Sequence, residues 1–216
     1  MSAEFLTAPS LGGMPHGFFT RRGGVSSGRF ASLNCSLSSA DDPALVQENR
    51  ALAMAAIGAS PASLSGLFQV HGVALAVARE PIPCEARPKA DGVVTDRPGV
   101  TLGIVTADCG PVLFADPRAG VVGACHAGWR GALAGVLEAP VAAMEDLGAR
   151  RADIAAALGP CIRQPSYEVG ADLRAELLAT DPEGERFLAP GTREGHWQFD
   201  MAGLILARLA ATGVTA

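Results

Sequence analysis

Apolar and polar positions change their period along the chain, and those changes divide it into elements. Between Asp41 and Gly58 the apolar residues return at helical spacing, with Leu45, Leu52, Ala53, Ala56 and Ile57 on one face. Asp42 is a suitable N-cap, Pro43 takes the first helical position and Gly58 is a stop, so a helix is expected over 43–57. The pattern then turns to short β-branched runs separated by Gly, Pro and Asp. Strands are expected at 66–70 (GLFQV), 73–78 (VALAVA), 92–95 (GVVT), 100–106 (VTLGIVT), 112–116 (VLFAD) and 121–126 (VVGACH). Helical spacing resumes at 132–148, where Pro140 should kink or break the helix, because it lacks an N–H and crowds the preceding turn. The apolar run 153–159 reads as a strand by its neighbours, 171–180 and 201–211 read as helices, and His16 to Thr20 reads as a short strand. Successive strands bracketed by helices point to a mixed α/β (α+β) fold with an at least partly antiparallel sheet.

Composition narrows the class. The 216 residues suit a single domain over 1–216, and an apolar content of 49% with a net charge of −5 excludes a disordered chain. With 17 basic against 22 acidic residues there is no basic excess, so no nucleic-acid partner is expected. No apolar run reaches the ~18 residues of a membrane span, and the first residues lack the basic start and apolar stretch of a secretory signal. The five cysteines are an odd number without tight spacing, unlike a disulfide scaffold. A reducing cytoplasm is therefore expected, where each cysteine is a core residue, a nucleophile or a metal ligand. The Gly/Ser-rich stretch 21–39 is too long and too rich in Arg for an ordinary connection.

Candidate chemistry gathers at His71, Cys109 and His126. Each stands at the end of an expected strand beside a turn: QVHG, TADCGP and CHAGWRG. Their separations, 38 and 17 residues, exclude a compact zinc finger but suit a site built from several strands. Two imidazoles and a thiolate form a good zinc set with a fourth position left for water or substrate, and zinc-bound water is a nucleophile near neutral pH. The same atoms allow a second reading, in which Cys109 is a thiolate nucleophile with His126 or His71 as its base. Cys125 alternates to the opposite face from His126 and belongs to the core. In HAGWRG (126–131) two glycines let backbone approach a ligand, Arg130 adds charge for an anion, and Trp129 is a stacking or packing residue. Asp91 and Asp108, each beside a turn, are candidate carboxylates to orient a ligating histidine, or simple Asx turns. Arg50 by itself reads as a solvated helix residue, and His16 and His196 as structural or surface residues.

Taken in order, HGFFTRRGGVS, SLNCS, ENR, QVHG, ADGVVTD, TADCGPVLFAD, HAGWRG, LGPCI and YEVG make the chain resemble one bacterial family over about His16 to Gly170. It is the polyphenol oxidoreductase, or laccase-like, family, also described as purine nucleoside phosphorylases and as a peptidoglycan editing factor. The resemblance implies two mixed sheets in an α/β/β/α sandwich and a catalytic zinc site of His71, Cys109 and His126. It implies that Arg50, from ENR, contacts phosphate or nucleoside, beside the candidates Arg130 and Asp108. It further implies phosphorolysis of adenosine, inosine and methylthioadenosine, with adenosine deamination as a second reaction. The partners are then purine nucleosides and phosphate, for a monomer or small homo-oligomer.

The loop RQPSYEVG departs from the family pattern, as does Pro140 inside a helix. The family's further C-terminal strand and Tyr-Arg-Arg block are expected to be missing. Purine nucleoside chemistry ranks ahead of peptidoglycan-precursor hydrolysis, and that ahead of copper-dependent phenol oxidation. Copper could still enter a His₂Cys site, because the divalent affinity order favours it over zinc. A zinc-stabilised binding protein is the non-enzymatic alternative, and it calls for a closed four-ligand site.

Overall fold

The structure, a computed structural model, describes residues 2–215. The chain opens with β1 (Phe5–Leu6), β2 (Phe18–Phe19), α1 (Pro43–Ala56), β3 (Leu64–Ser65), β4 (Leu75–Val77) and β5 (Gly92–Thr95). It continues through β6 (Thr101–Leu102), β7 (Gly110–Asp116), β8 (Val121–Ala127), α2 (Trp129–Ala134), α3 (Glu138–Asp146) and β9 (Ala155–Leu158). It closes with β10 (Glu168–Val169), α4 (Ala171–Thr180), β11 (Leu188–Pro190), β12 (Trp197–Phe199) and α5 (Met201–Thr212). The mixed α/β class is as expected. Five strands form one mixed sheet in the order β4-β5-β8-β7-β9, parallel between β4 and β5 and antiparallel elsewhere. Three small sheets, β1-β2, β3-β6 and β10-β12-β11, complete the β structure of the described residues.

Both faces of the main sheet are buried, which is why β5, β7 and β8 read as nearly continuous apolar runs. On one face Val94, Val112, Phe114 and Cys125 pack with Val141 and Met144 of α3 and Leu204, Ile205 and Leu209 of α5. On the other, Val93 and Ala124 pack with Leu67, Ala78 and Ala90. Leu11 and Phe18 cover Ala115 and Ala157 on the rest of that face. No helix of the described residues is long and apolar enough to cross a membrane.

Several expectations need correction. The runs 66–70 and 100–106 are not strands: Leu64–Ser65 pairs with Thr101–Leu102, Phe68 makes a single bridge with Lys89, and the rest of these runs is irregular. There the Gln69 side chain replaces the ladder, accepting from Val105 N–H at 3.0 Å and donating to Val105 O at 2.8 Å. The strand from His16 to Thr20 shrinks to Phe18–Phe19, and β10 to β12 carried no recognised pattern. The 132–148 helix is interrupted, but not by Pro140. The break is at Gly135, whose φ of +110° ends α2, and Pro140 lies in the first turn of α3, where a missing N–H costs no helical bond.

The most informative correction concerns α1, whose ends and Asp42 cap are as expected. Its buried stripe is Val46, Asn49, Arg50, Ala53 and Met54, rotated from the apolar face inferred above. Two polar residues lie inside because they hold the 21–39 loop. Val25 N–H donates to Asn49 Oδ1 at 2.8 Å, and Asn49 Nδ2 donates to Ser26 Oγ (2.8 Å) and Asn34 O (2.9 Å).

Replacing Gly135 tests the break between α2 and α3. Gly135→Ala forces a Cβ into left-handed backbone and should lower unfolding stability by about 1–3 kcal/mol. The measurement is the urea midpoint at constant slope; no shift would mean that the α2–α3 junction relaxes freely.

Candidate metal centre

Strand register brings the candidate site to one end of the main sheet. β7 begins there and β8 ends there, so Cys109, just before β7, and His126, near the end of β8, come together from antiparallel neighbours. Asp91 immediately precedes β5, whose pairing with β8 sets it beside His126. His71 arrives from the loop ahead of β4. The ligand atoms of His71, Cys109 and His126 all lie within 4.8 Å of one another. The two imidazoles meet edge to face, with ring centroids 4.6 Å apart.

The buried carboxylate of Asp91 organises this end of the sheet. Its Oδ2 accepts from Val70 N–H (3.1 Å) and Gly72 N–H (2.7 Å), and its Oδ1 from His71 N–H (3.0 Å) and His126 Nδ1 (2.8 Å). Burial works against its charge, but these four bonds outweigh that and hold the carboxyl below its ordinary pKa. They also fix the turn in which His71 takes a φ of +59°, a conformation uncommon outside glycine. Because a carboxylate only accepts, His126 carries its proton on Nδ1, which leaves Nε2 as the free lone pair. Burial lowers the His126 pKa more than the bond to Asp91 raises it, with His71 adding to the lowering. The ring is therefore neutral, as a metal ligand must be.

Cys109 is raised above the ordinary thiol pKa, chiefly by burial and further by Asp108, Cys161 and Asp91. No cation offsets these, so on its own the group is a thiol rather than an activated thiolate, which disfavours the nucleophile reading. A divalent ion reverses the balance by replacing the thiol proton. Two imidazoles and one thiolate with ligand atoms within 4.8 Å of one another are a donor set of the kind that holds zinc. Backbone clearance helps: a Cβ on Gly128 would lie 3.1 Å from His71 Cδ2 and 3.2 Å from Cys109 Sγ, and one on Gly131 3.0 Å from Gly72 O. The HAGWRG glycines thus let the start of α2 pass close behind the ligands.

The donor set opens onto a cleft of about 320 Å³ lined by His71, Asp108, Cys109, Gly128, Trp129, Arg130, Ile162, Tyr167 and Met201. Arg130 holds its guanidinium over the Trp129 ring, 4.1 Å from the centroid. Burial raises the Tyr167 pKa, with Cys109 adding to it, so its phenol is a donor at neutral pH. Of the inferred site residues the structure therefore gathers His71, Cys109, His126, Asp108 and Arg130. Asp91 orients a histidine; Asp108, exposed at the rim, does not.

Arg50 is a correction. It belongs to the buried stripe of α1, donates to Cys35 O at 3.2 Å and lines a separate cavity of about 50 Å³ with Gln47 and Cys84. His16 accepts from Ala8 N–H and is structural, His196 is half-buried away from the cleft lining, and Cys125 is fully buried in the core. Tyr167, Ile162 and Met201 escaped the sequence reading as cleft residues. Ile162 and Tyr167 lay in the LGPCI and YEVG blocks, whereas nothing in the sequence marked Met201.

Comparison with known proteins places these features in a family. The family model described as "Multi-copper polyphenol oxidoreductase laccase" matches residues 15–216. The chain is 46% identical over 209 residues to a protein of Deinococcus radiodurans named purine nucleoside phosphorylase, covering 97% of this chain and 79% of that one. It is 43% identical over 220 residues to one of the same name from Streptomyces griseus, covering 100% and 86%. Among solved structures it is similar to YlmD from Geobacillus stearothermophilus, with a TM-score of 0.87 and 32% identity over 96% of this chain and 80% of that one.

Replacing Asp91 separates its two effects. Asp91→Asn turns one acceptor oxygen towards its donors as an NH₂ and should weaken metal binding about 10–100-fold, measured by competition with a chelator. Its lowered pKa also carries a pH signature. The stability it contributes is present above the ordinary carboxylate value of 3.8 and is lost as pH falls through the lower folded value. Asp91→Asn lacks that component, so the stability difference from wild type should shrink in acid; a constant difference would assign the effect elsewhere.

Proposed function

Because this chain belongs to the multi-copper polyphenol oxidoreductase laccase family, and its near relatives bear the name purine nucleoside phosphorylase, we propose that it is a zinc-dependent purine nucleoside phosphorylase. The observation that carries this reading is the donor set of His71, Cys109 and His126 at the floor of a cleft of about 320 Å³, the size of a small-ligand site. The substrates are adenosine, inosine and methylthioadenosine with phosphate, and deamination of adenosine is a side reaction in which water attacks the base. Oxidation by several coppers finds little support. The chain has four histidines and only two reach this site, so the donors suit one ion.

Phosphorolysis joins a phosphate oxygen to the ribose anomeric carbon as the bond to the purine breaks. A zinc ion held by His71, Cys109 and His126 supplies Lewis-acid stabilisation of an oxygen in this cleft. The protein's own groups do the remaining work. Trp129, Ile162 and Met201 give apolar walls that a purine can cover, and Tyr167 presents a phenolic donor. The Asp108 carboxylate accepts from a ribose hydroxyl or an exocyclic amine. Arg130, at the rim, offers two parallel N–H donors to phosphate and offsets its charge, so the anion can approach the carboxylate-bearing side of the cleft. Binding both reactants in one cleft raises their effective concentration.

Purified wild type should hold about one zinc per chain, lost in the Cys109→Ala, His126→Ala double variant. With phosphate, adenosine should yield adenine and ribose 1-phosphate; inosine alone as product would make the enzyme a deaminase, and neither product would sink the proposal. Arg130→Lys keeps charge but loses the two-pronged grip, and should raise the phosphate KM about tenfold. Arg50→Lys should leave it within about twofold, since Arg50 lies outside the cleft. The reverse pattern would return the phosphate role to Arg50.

A further inference from the structure

Each pair within the donor set is tied by a different device. Gly110 faces Ala127 in the β7–β8 ladder, which sets Cys109, just before the one, near His126, just before the other. Asp91 ties His71 to His126 by accepting from the amides of residues 70–72 and from the His126 ring together. The third pair, His71 and Cys109, comes from two segments that start side by side and then lose their ladder. Leu64 faces Thr101 and Ser65 faces Leu102 in the parallel pair β3-β6, and Gly103 N–H donates to Ser65 O at 2.9 Å. Past that point neither segment is paired to the other as a strand. One side chain spans the gap. Gln69, two residues before His71, accepts from Val105 N–H at 3.0 Å and donates to Val105 O at 2.8 Å. Val105 stands four residues before Cys109. A primary amide that gives and takes on one residue copies a rung of a β-ladder; turned over, it would set oxygen against oxygen and N–H against N–H. From Ile104 to Ala107 these two are the hydrogen bonds that the backbone makes among the described residues. His71, Ala107 and Asp108 are exposed, so packing does little to hold either ligand-bearing turn.

We propose that Gln69 is a positioning residue of the metal centre, whose side-chain amide sets the separation of His71 from Cys109. The proposal rests on the reading of His71, Cys109 and His126 as that centre. Ligands held at their working separation before the ion arrives lose less freedom when it binds, so the clamp raises affinity without touching the metal. Losing it leaves the chain folded, because the β3-β6 pair and the main sheet do not depend on it. His126 keeps β8 and Asp91, and His71 keeps Asp91. Cys109 keeps its anchor in β7 but loses the one on its other side. The bond between Cys109 and the metal is therefore the one that weakens.

The test compares two full-chain variants that each lose a pair of bonds between a side chain and the backbone. Gln69→Met keeps the length of the side chain and loses both bonds to Val105. Thr95→Val loses the bond that Thr95 Oγ1 donates to Ala78 O (2.7 Å) and the one it accepts from Arg97 N–H (3.0 Å). Thr95 ends β5, at the opposite end of that strand from Asp91. Zinc and cobalt(II) are the probes, because the thiolate charge-transfer band of cobalt reports the bond to Cys109. Gln69→Met should bind both ions about 10–100-fold more weakly in competition with a chelator, and its thiolate band at saturation should be weaker. Thr95→Val should keep wild-type affinity and band whatever it loses in urea midpoint. Gln69→Glu keeps the bond from Val105 N–H but cannot donate to Val105 O; it should also bind more weakly than wild type, and it carries the comparison if Gln69→Met does not fold. Wild-type affinity and band in the Gln69 variants would overturn the proposal, as would equal losses in Thr95→Val. A wild-type chain that takes up neither ion defeats the metal reading, and the clamp with it.

Discussion

Everything at the functional end of the sheet depends on how one buried carboxylate is satisfied. Asp91 has no solvent exposure, and an isolated charge there would be prohibitively costly. It is stable only because four donors reach it, three from consecutive amides of residues 70–72 and one from the His126 ring. Meeting that demand shapes the His71 turn, selects the His126 tautomer and sets the two rings side by side. The geometry of two ligands is thus a by-product of neutralising a third residue. The strain of a non-glycine residue at φ +59° is one more cost that those hydrogen bonds offset.

The second constraint is steric. A Cβ on Gly128 would lie 3.1 Å from His71 and 3.2 Å from Cys109, and one on Gly131 3.0 Å from the carbonyl of Gly72, all tighter than ordinary contact. The glycines that looked suited to cradling an anion serve first to let the start of α2 lie against the ligands. That close approach brings Trp129 and Arg130 over the donor set, making a cleft of what would otherwise be an exposed sheet edge. Its far wall comes from the chain after β9, and the bond from Ile162 N–H to Asp108 O fastens that wall to the cysteine loop.

The ENR segment, whose arginine was expected to contact phosphate or nucleoside, serves the loop that precedes it. Asn49 and Arg50 interrupt the apolar stripe of α1, and both face inward. Their partners are backbone and side-chain groups of the 21–39 loop, which has little regular structure to satisfy its own polar groups. The long loop that seemed to need a ligand is anchored instead by the helix that follows it. Arg50, turned to Cys35 O, does not line the cleft beside the donor set.

Local signals were legible wherever the physics is local. The cap of α1, the bounds of β5 and α4 and the assignment of Cys125 to the core all follow from residue types within a few positions, whereas the break in the 132–148 helix was assigned to Pro140 and lies at Gly135. The candidate triad was legible from ligand chemistry and motif, although only Cys109 and His126 stand at strand ends, while His71 comes from an irregular turn. The role of Asp91, the rotation of α1, the retreat of Arg50, and the cleft walls from Tyr167, Ile162 and Met201 were decided only by tertiary structure. The placements of Asp91, α1 and Arg50 depend on strand register or on hydrogen bonds between groups 15 or more positions apart. A sequence period reports which way a side chain points along its own element; it carries no information about which distant polar group will be waiting there.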